Sequence, residues 1–403
     1  MGQVSQPVRL AAAPRVVRTI ELQHPQRLRI PIIVLFFQLF YRRVTQLFIP
    51  ATQQKGFVVT DVRSEAVRQR MSEILTQHAH HAGQYLSLSN DGWHILWSDA
   101  RDCFIAFQER PFSVTSWRDP IGPPRERIKM LHRFHHYAQA RGKQAIHMWI
   151  SEESVQALEY KQYKSLWIGT EPYFDLATYS TRGKAGEYLR HALNFAKKIE
   201  ASAREIDPIH HEADRLAMLK VEHIWKTERS IRSTRSFLRT APLEFIHRRR
   251  YFVVETPGAD GPEMQGFVIC SPIGDHGWCM QDLVRLPNAP RGIIETGIMH
   301  AMAILKAEGV EFVTMTLIPF HDPSGERSLA TLARLEQWAI GYFDKIYHFT
   351  GLQQFRTKFA PTTCKHSYVL FWPRILTPMA VADIISVMAP HKDVPPYDAF
   401  QPE

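Results

Sequence analysis

Polar and apolar positions alternate in short bursts through the first half of the chain. His94 to Trp97, Cys103 to Gln108 and Phe112 to Trp117 are β-rich runs, with a further one at Tyr85 to Leu88. Asn90-Asp91-Gly92, Ser98-Asp99 and Glu109-Arg110-Pro111 lie between them and supply the turn chemistry of an antiparallel meander. Upstream, Val62, Ala66, Met71, Ile74 and Leu75 have helical spacing, which predicts a charged helix from Phe57 to His81. Downstream, Ile128, Leu131, Phe134 and Tyr137 mark a helix from Glu126 to Arg141, and Ala145 to Ile150 a buried strand. Ser151, with Glu152 and Glu153 behind it, starts a short helix to Tyr160. Leu166 to Glu171 and Tyr173 to Asp175 read as further strand.

The order then recurs. Helices are expected at Ala185 to Ala203 and His211 to Lys226, and strands at Phe245 to Glu255, Gly266 to Ser271 and Gly277 to Leu286. A helix from Gly292 to Glu308, ended by Gly309, leads to a strand at Phe312 to Leu317, a helix at Leu329 to Phe343 and a strand at Ser367 to Trp372. Strands, helix, strand, helix, strand is the order of an acetyltransferase-like lobe. The expected class is therefore α/β (α+β), two such lobes in tandem with mixed, largely antiparallel sheets. The expected division is a flexible tail at 1–28, docking helices at 29–82, lobes at 83–182 and 183–390, and a C-terminal tail at 391–403.

Composition narrows the class. Apolar residues make up 45% and charged residues 22%, a globular balance, and the net charge of +9 favours phosphate-rich partners such as RNA or an anionic membrane. The four cysteines, Cys103, Cys270, Cys279 and Cys364, form no CxxC pair and suit reduced thiols in the cytoplasm. The apolar stretch over residues 30–50 is broken by Arg42 and Arg43, too early for a span of ~20 residues, so it reads as a helix lying on an anionic bilayer or packing on protein. His78, His80 and His81, and His132, His135 and His136, cluster without acidic neighbours at ligand spacing, which favours surface histidines over a metal hydrolase.

Four islands carry a more specific signal. They are Trp117-Arg118-Asp119-Pro120-Ile121-Gly122-Pro123; Trp167 to Glu171 followed by Gly183-Lys184, Leu189-Arg190 and Asn194; Met280 to Arg285 with Asn288 to Gly292; and Tyr347 to Leu352 with Phe355 to Pro361. In this order and spacing they resemble the C-terminal domain of the phosphatidylglycerol lysyltransferase family (domain of unknown function 2156). Arg118 departs from that pattern, which usually has glycine there. The resemblance implies a tandem acetyltransferase-like fold, and neither a cofactor nor a metal is expected. It also implies transfer of an amino acid from aminoacyl-tRNA to a hydroxyl of an anionic membrane lipid such as phosphatidylglycerol. The expected setting is the inner membrane face, with peripheral contact through residues 30–50.

The residues suggest how. Acyl transfer needs an activated acceptor and donors for the oxyanion. Asp282, Arg285 and Lys358 are the expected catalytic set, Asp282 binding the α-ammonium or orienting the acceptor. Asp282 and Arg285 are three apart on one strand and should face opposite ways. Arg356 and Lys358, if extended, share a face suited to phosphate. Asn288 to Gly292 opens a helix whose amides suit an anion, and His321 follows a strand end, where a general base fits. Asp119, Gly122, Gly183, Lys184 and Arg190 complete the expected binding set. Basic residues from Lys184 to Arg250 suit a phosphate backbone. The alternatives are an acyl-CoA-dependent N-acyltransferase, for which Arg285 to Gly292 has only one glycine, and a non-catalytic basic membrane module. Each structural carboxylate or solvated basic face has its own bland reading as a packing or solubility feature.

Overall fold

The computed structural model describes residues 56–89, 92–159, 162–228, 241–319, 321 and 355–388. The stretch over 30–50, the Leu329 to Phe343 helix and the Tyr347 to Leu352 island lie outside the described residues. No helix among the described residues is long and apolar enough to cross a membrane.

The first meander forms with one exchange of roles. Strands β1 (Val58–Asp61), β2 (His94–Trp97), β3 (Phe104–Glu109) and β4 (Ser113–Trp117) pair antiparallel in sequence. The run expected as a strand at Tyr85 to Leu88 is a 3-10 turn (Gln84–Leu88). Gly83 turns the chain with φ 75°, and all five residues of the turn are buried, a pattern a half-exposed strand does not give. The helix expected from Phe57 shortens to α1 (Glu65–His78), because Val58–Asp61 is claimed by the edge of β2. Helix α2 (Pro124–Ala140), with proline in its first turn, crosses to β5 (Gln144–Ser151), parallel to β4. The Ser151 hydroxyl caps α3 (Glu152–Leu158) by accepting from Ser154 N at 3.3 Å, and β6 (Lys164–Asp175) follows.

The second half repeats the plan: α4 (Glu187–Lys198), β7 (Ser202–Ile206), α5 (Glu212–Glu228), β8 (Arg250–Gly258), β9 (Gly261–Ile273), β10 (Gly277–Arg285), α6 (Ile293–Ala307), β11 (Phe312–Met315), β12 (Ile318–Pro319), β13 (Thr363–Trp372) and α7 (Pro378–Met388). Strand β7 lies where the helix from Ala185 was expected to run on. Helix α4 ends at Lys198, and Glu200 takes φ 55°, which breaks helical continuity.

All strands among the described residues join one sheet in the order β1-β2-β3-β4-β5-β13-β6-β11-β10-β9-β8-β7, with β12 on β6. The halves exchange their last strands: β6 lies against β11 of the second half, and β13 against β5 of the first. A cut between residues 182 and 183 therefore does not separate two sheets. Residues 58–82 likewise belong to the first half, where Val62, Met71 and Ile74 pack with Ile95, Trp97 and Trp117. In the second half, alternation sorts the core by face. Met280, Val268 and Phe252 pack under α6 with Phe359, while Val284, Ile269 and Tyr251 pack under α5.

Candidate active site

The ladder between β10 and β11 runs parallel from Gly277 opposite Phe312 to Met280 opposite Met315, and then stops. A register shift between Met280 and Asp282 sets Gln281 out as a bulge, after which β10 continues only on its β9 side, from Asp282 opposite Ile269 to Arg285 opposite Gly266. Among the described residues, no strand pairs with β10 on this side from Gln281 to Arg285. Beyond the end of the ladder, Arg356 pins the departing chain by donating from Nη1 to the carbonyls of Thr316 and Leu317 at 2.9 and 2.6 Å.

Asp282 stands just past the end of this ladder on the α5 face and is 5% exposed. Arg249 Nη1 is 3.8 Å from its Oδ2, beyond hydrogen-bond range, and that oxygen accepts no hydrogen bond among the described residues. Burial pushes the carboxyl up to about 6 against the pull of Arg249. Arg249 is held by other partners. Its Nη1 donates to Ala241 O at 2.7 Å, its Nη2 donates to the Tyr85 hydroxyl at 2.7 Å, and it stacks over the rings of Tyr85 and Phe245. Tyr85 in turn donates to Gln281 Oε1 on the bulge, and burial raises its phenol to about 12. The 3-10 turn of the first half thus forms one wall of a site on the second.

The same turn reaches a matching position on β4. Gln84 Nε2 donates to Asp119 O at 3.2 Å, and Trp117 Nε1 to Gly83 O at 3.1 Å. Arg118, where the resembled pattern carries glycine, holds the positive φ of 61° that glycine would tolerate more easily. Its guanidinium is buried, hydrogen-bonded to Glu171, and packs beside the rings of Trp117 and Trp149. Register links this pair to the end of the ladder. Ser271, Cys279, Thr314, Tyr173 and Thr363 lie opposite one another in turn across β9, β10, β11, β6 and β13, and Glu171 lies opposite Lys365. Lys365 is exposed by surface area, with its Nζ 4.0 Å from the Tyr173 ring centroid, and desolvation against its neighbours lowers its pKa.

His80, His81 and Asp119 bring three ligand-type atoms within 4.8 Å, the one such group found among the described residues. Far from being surface histidines, both rings are largely covered. Burial depresses His80 to about 4 and His81 well below its ordinary value. The Asp119 carboxylate is already taken by Ser151 N at 3.2 and 3.1 Å, Ser151 Oγ at 2.7 Å and Ser154 Oγ. Arg118, Arg127 and Lys365 also act on His81. These surroundings suit a packed polar joint better than a cation. In the second histidine cluster His135 is likewise buried, its Nδ1 3.1 Å from the Tyr163 hydroxyl.

The expected catalytic set does not meet in one cleft. Asp282 faces α5. Lys358 is exposed near α4, its Nζ 4.4 Å from the Tyr188 ring centroid, next to Phe359, which packs under α6 on the other face. Arg356 and Lys358 do not share a face, because residues 355–357 are helical and Arg356 turns inward. Arg285 Nη1 donates to Ala289 O at 3.0 Å. Gly122 is a packing glycine: a Cβ there would stand 2.5 Å from Cys103 Cβ. Arg190 Nη1 closes the turn before α4 by donating to the carbonyls of Thr181 and Gly183, the latter at 2.7 Å. His321 offers its carbonyl to Thr170 Oγ1 at 2.8 Å. Gly292 meets α4, with Ala192 O 2.3 Å from where a Cβ would stand, and Glu295 in the first turn of α6 is buried and accepts from the Tyr188 hydroxyl at 2.9 Å. Asn288 and Lys184 are exposed.

Much of the basic stretch is spent internally. Arg204 pairs with Asp214 and Glu255, Arg250 with Glu205 and Glu308, and Lys226 with Glu222. One groove, of about 810 Å³, is lined by His191, Asn194, Phe195, Lys197, Lys198 and Arg291, with Phe195 43% exposed among the cations. Sequence reading missed Tyr85, Arg249 and Lys365 as site residues and saw Glu171 only as part of its island. Contacts between residues far apart in sequence bring Tyr85 to Arg249 and Glu171 opposite Lys365.

Known proteins resemble this chain along most of its length. The family described as phosphatidylglycerol lysyltransferase, C-terminal, matches residues 72–371. Phosphatidylglycerol lysyltransferase of Staphylococcus epidermidis is 23% identical over 297 residues, 70% of this chain and 33% of the relative. That of Staphylococcus aureus is 20% identical over 315 residues, 74% and 35% respectively. The chain thus spans about a third of the length of the curated relatives it matches. Among solved structures, the DUF2156 C-terminal domain from Agrobacterium fabrum aligns with TM-score 0.67 at 16% identity, over 80% of this chain and 96% of that one. L-PGS from Bacillus licheniformis aligns with TM-score 0.66 at 19% identity, over 79% and 95%.

Proposed function

This chain belongs to the phosphatidylglycerol lysyltransferase C-terminal family, and from that membership we propose that it transfers an amino acid from aminoacyl-tRNA to a hydroxyl of an anionic membrane lipid, with Asp282 at the reacting centre. The observation that carries the reading is the buried Asp282 carboxylate, one oxygen of which accepts no hydrogen bond among the described residues, beside the end of the β10–β11 ladder. In the proposed step the lipid hydroxyl oxygen attacks the ester carbonyl carbon and its proton passes to Asp282. The tetrahedral intermediate then collapses, the carbon–oxygen bond to the ribose breaks, and Asp282 returns the proton to the ribose oxygen. N–H groups on the β10 edge that no described strand pairs with are suited to the developing oxyanion.

The groove on α4 fits the donor. Lysines hold phosphates without reading sequence, and an exposed phenylalanine offers a base a stacking surface. A coenzyme A donor fits less well. The start of α6, where a pyrophosphate would sit, is closed by the Ala192 carbonyl and already holds the buried carboxylate of Glu295. The test is incubation with radiolabelled aminoacyl-tRNAs or acetyl-CoA, plus total lipid extract. A labelled lipid formed only from aminoacyl-tRNA supports the reading, and label arriving only from acetyl-CoA replaces it.

A further inference from the structure

Helix α7 turns Ala380 and Val387 to the core, with Ile384 packed beside them, yet it also leaves apolar side chains exposed. Its one acidic residue, Asp383, is buried, accepting from Phe112 N at 2.9 Å and Ser113 Oγ at 3.0 Å. A second set of apolar residues is exposed: Met379 is 37% exposed, Val381 37% and Ile385 41%, and Ile375 just before the helix is 78% exposed. Isolated apolar side chains on a surface are ordinary, but four gathered on one short element mark a contact. The rim is basic. Arg374 is exposed beside Ile375, and Lys164 is exposed at the end of β6, opposite Phe371 of β13. From Pro373 to Met388 the chain has no acidic residue besides Asp383.

We propose that the outer face of α7, with Ile375, seats on an anionic lipid surface. This deepens the lipid-acceptor reading and rests on it. An 11-residue helix is about 16 Å long, too short for a core of ~30 Å, so it lies in the headgroup plane with apolar residues down and cations toward phosphate. The patch covers on the order of a few hundred Å², well below the ~800 Å² per partner of a stable protein interface, which favours lipid over a second copy.

The test is flotation of the full chain with vesicles of phosphatidylglycerol and phosphatidylcholine, or of phosphatidylcholine alone. Ile375→Glu/Ile385→Glu should lower binding to the anionic vesicles at least about tenfold. Its circular dichroism, and its transfer to phosphatidylglycerol in detergent micelles, should stay unchanged. Ile375→Glu alone, in an exposed turn, gives a smaller loss with no risk to the helix. Lys164→Gln/Arg374→Gln should weaken only binding to anionic vesicles. Wild-type binding by the double glutamate variant overturns the proposal. So does a wild-type dimer in sedimentation that the variant converts to monomer at unchanged vesicle affinity, which assigns the face to a second copy. Loss of micellar transfer in wild type would instead remove the enzymatic reading.

Discussion

Replacing Asp282 by asparagine separates a functional carboxylate from a structural one. An ordinary aspartate has a value of 3.8, and burial lifts Asp282 to about 6. The folded protein therefore binds a proton that the unfolded chain releases between those values, and stability falls as pH rises through that window. At 1.36 kcal/mol per pH unit, holding the ionised carboxylate costs about 3 kcal/mol above pH 6. The attraction of Arg249 is already included in that figure. Asparagine keeps the shape without the charge, so Asp282→Asn should raise unfolding stability at pH 8 by about 1–3 kcal/mol, with the gain vanishing below pH 4. Chemical denaturation at both pH values measures it, and lipid aminoacylation by the same sample should be lost. Were Asp282 a structural partner of Arg249, the variant would instead lose about 3–5 kcal/mol at pH 8. That result would refute the reasoning.

Other outcomes follow from the same geometry. Transfer by the wild type should rise with pH through about 6 and level off above it, since the proton acceptor must be ionised; a rate falling over that range would exclude Asp282 as the acceptor. Lys197→Glu/Lys198→Glu should weaken tRNA binding by about tenfold or more and flatten its salt dependence, read by filter binding at two ionic strengths. Arg118→Gly relieves a positive φ but strands Glu171, so it should cost about 3 kcal/mol or more, and adding Glu171→Gln should recover most of the loss in a double-mutant cycle.

Helices α2, α5 and α6 and the strands β2, β3, β4, β5 and β10 were legible because each carries a strong apolar period bounded by proline, glycine or a capping serine. Strand β7 was not, since Ser202–Ile206 is a polar edge strand whose arginine and glutamate are satisfied by ion pairs rather than by core. The 3-10 turn at Gln84–Leu88 reads as strand from composition, and only Gly83 betrays it. At the site, Asp282 was found from its island, while its pairing with Lys358 failed because residues 355–357 are helical and Lys358 lies over Tyr188. Arg249 stood within a run of three arginines that looked like a solvated basic patch. Its burial depends on Tyr85, 164 residues away along the chain, and no local pattern encodes that contact.

The most direct measurement is a single-turnover assay at pH 7.5 with labelled aminoacyl-tRNA and phosphatidylglycerol vesicles, comparing wild type with Asp282→Asn. The account predicts a labelled lipid from the wild type and a rate lower by at least about a hundredfold in a variant that is folded and binds tRNA equally well. Equal rates in the two proteins would contradict it.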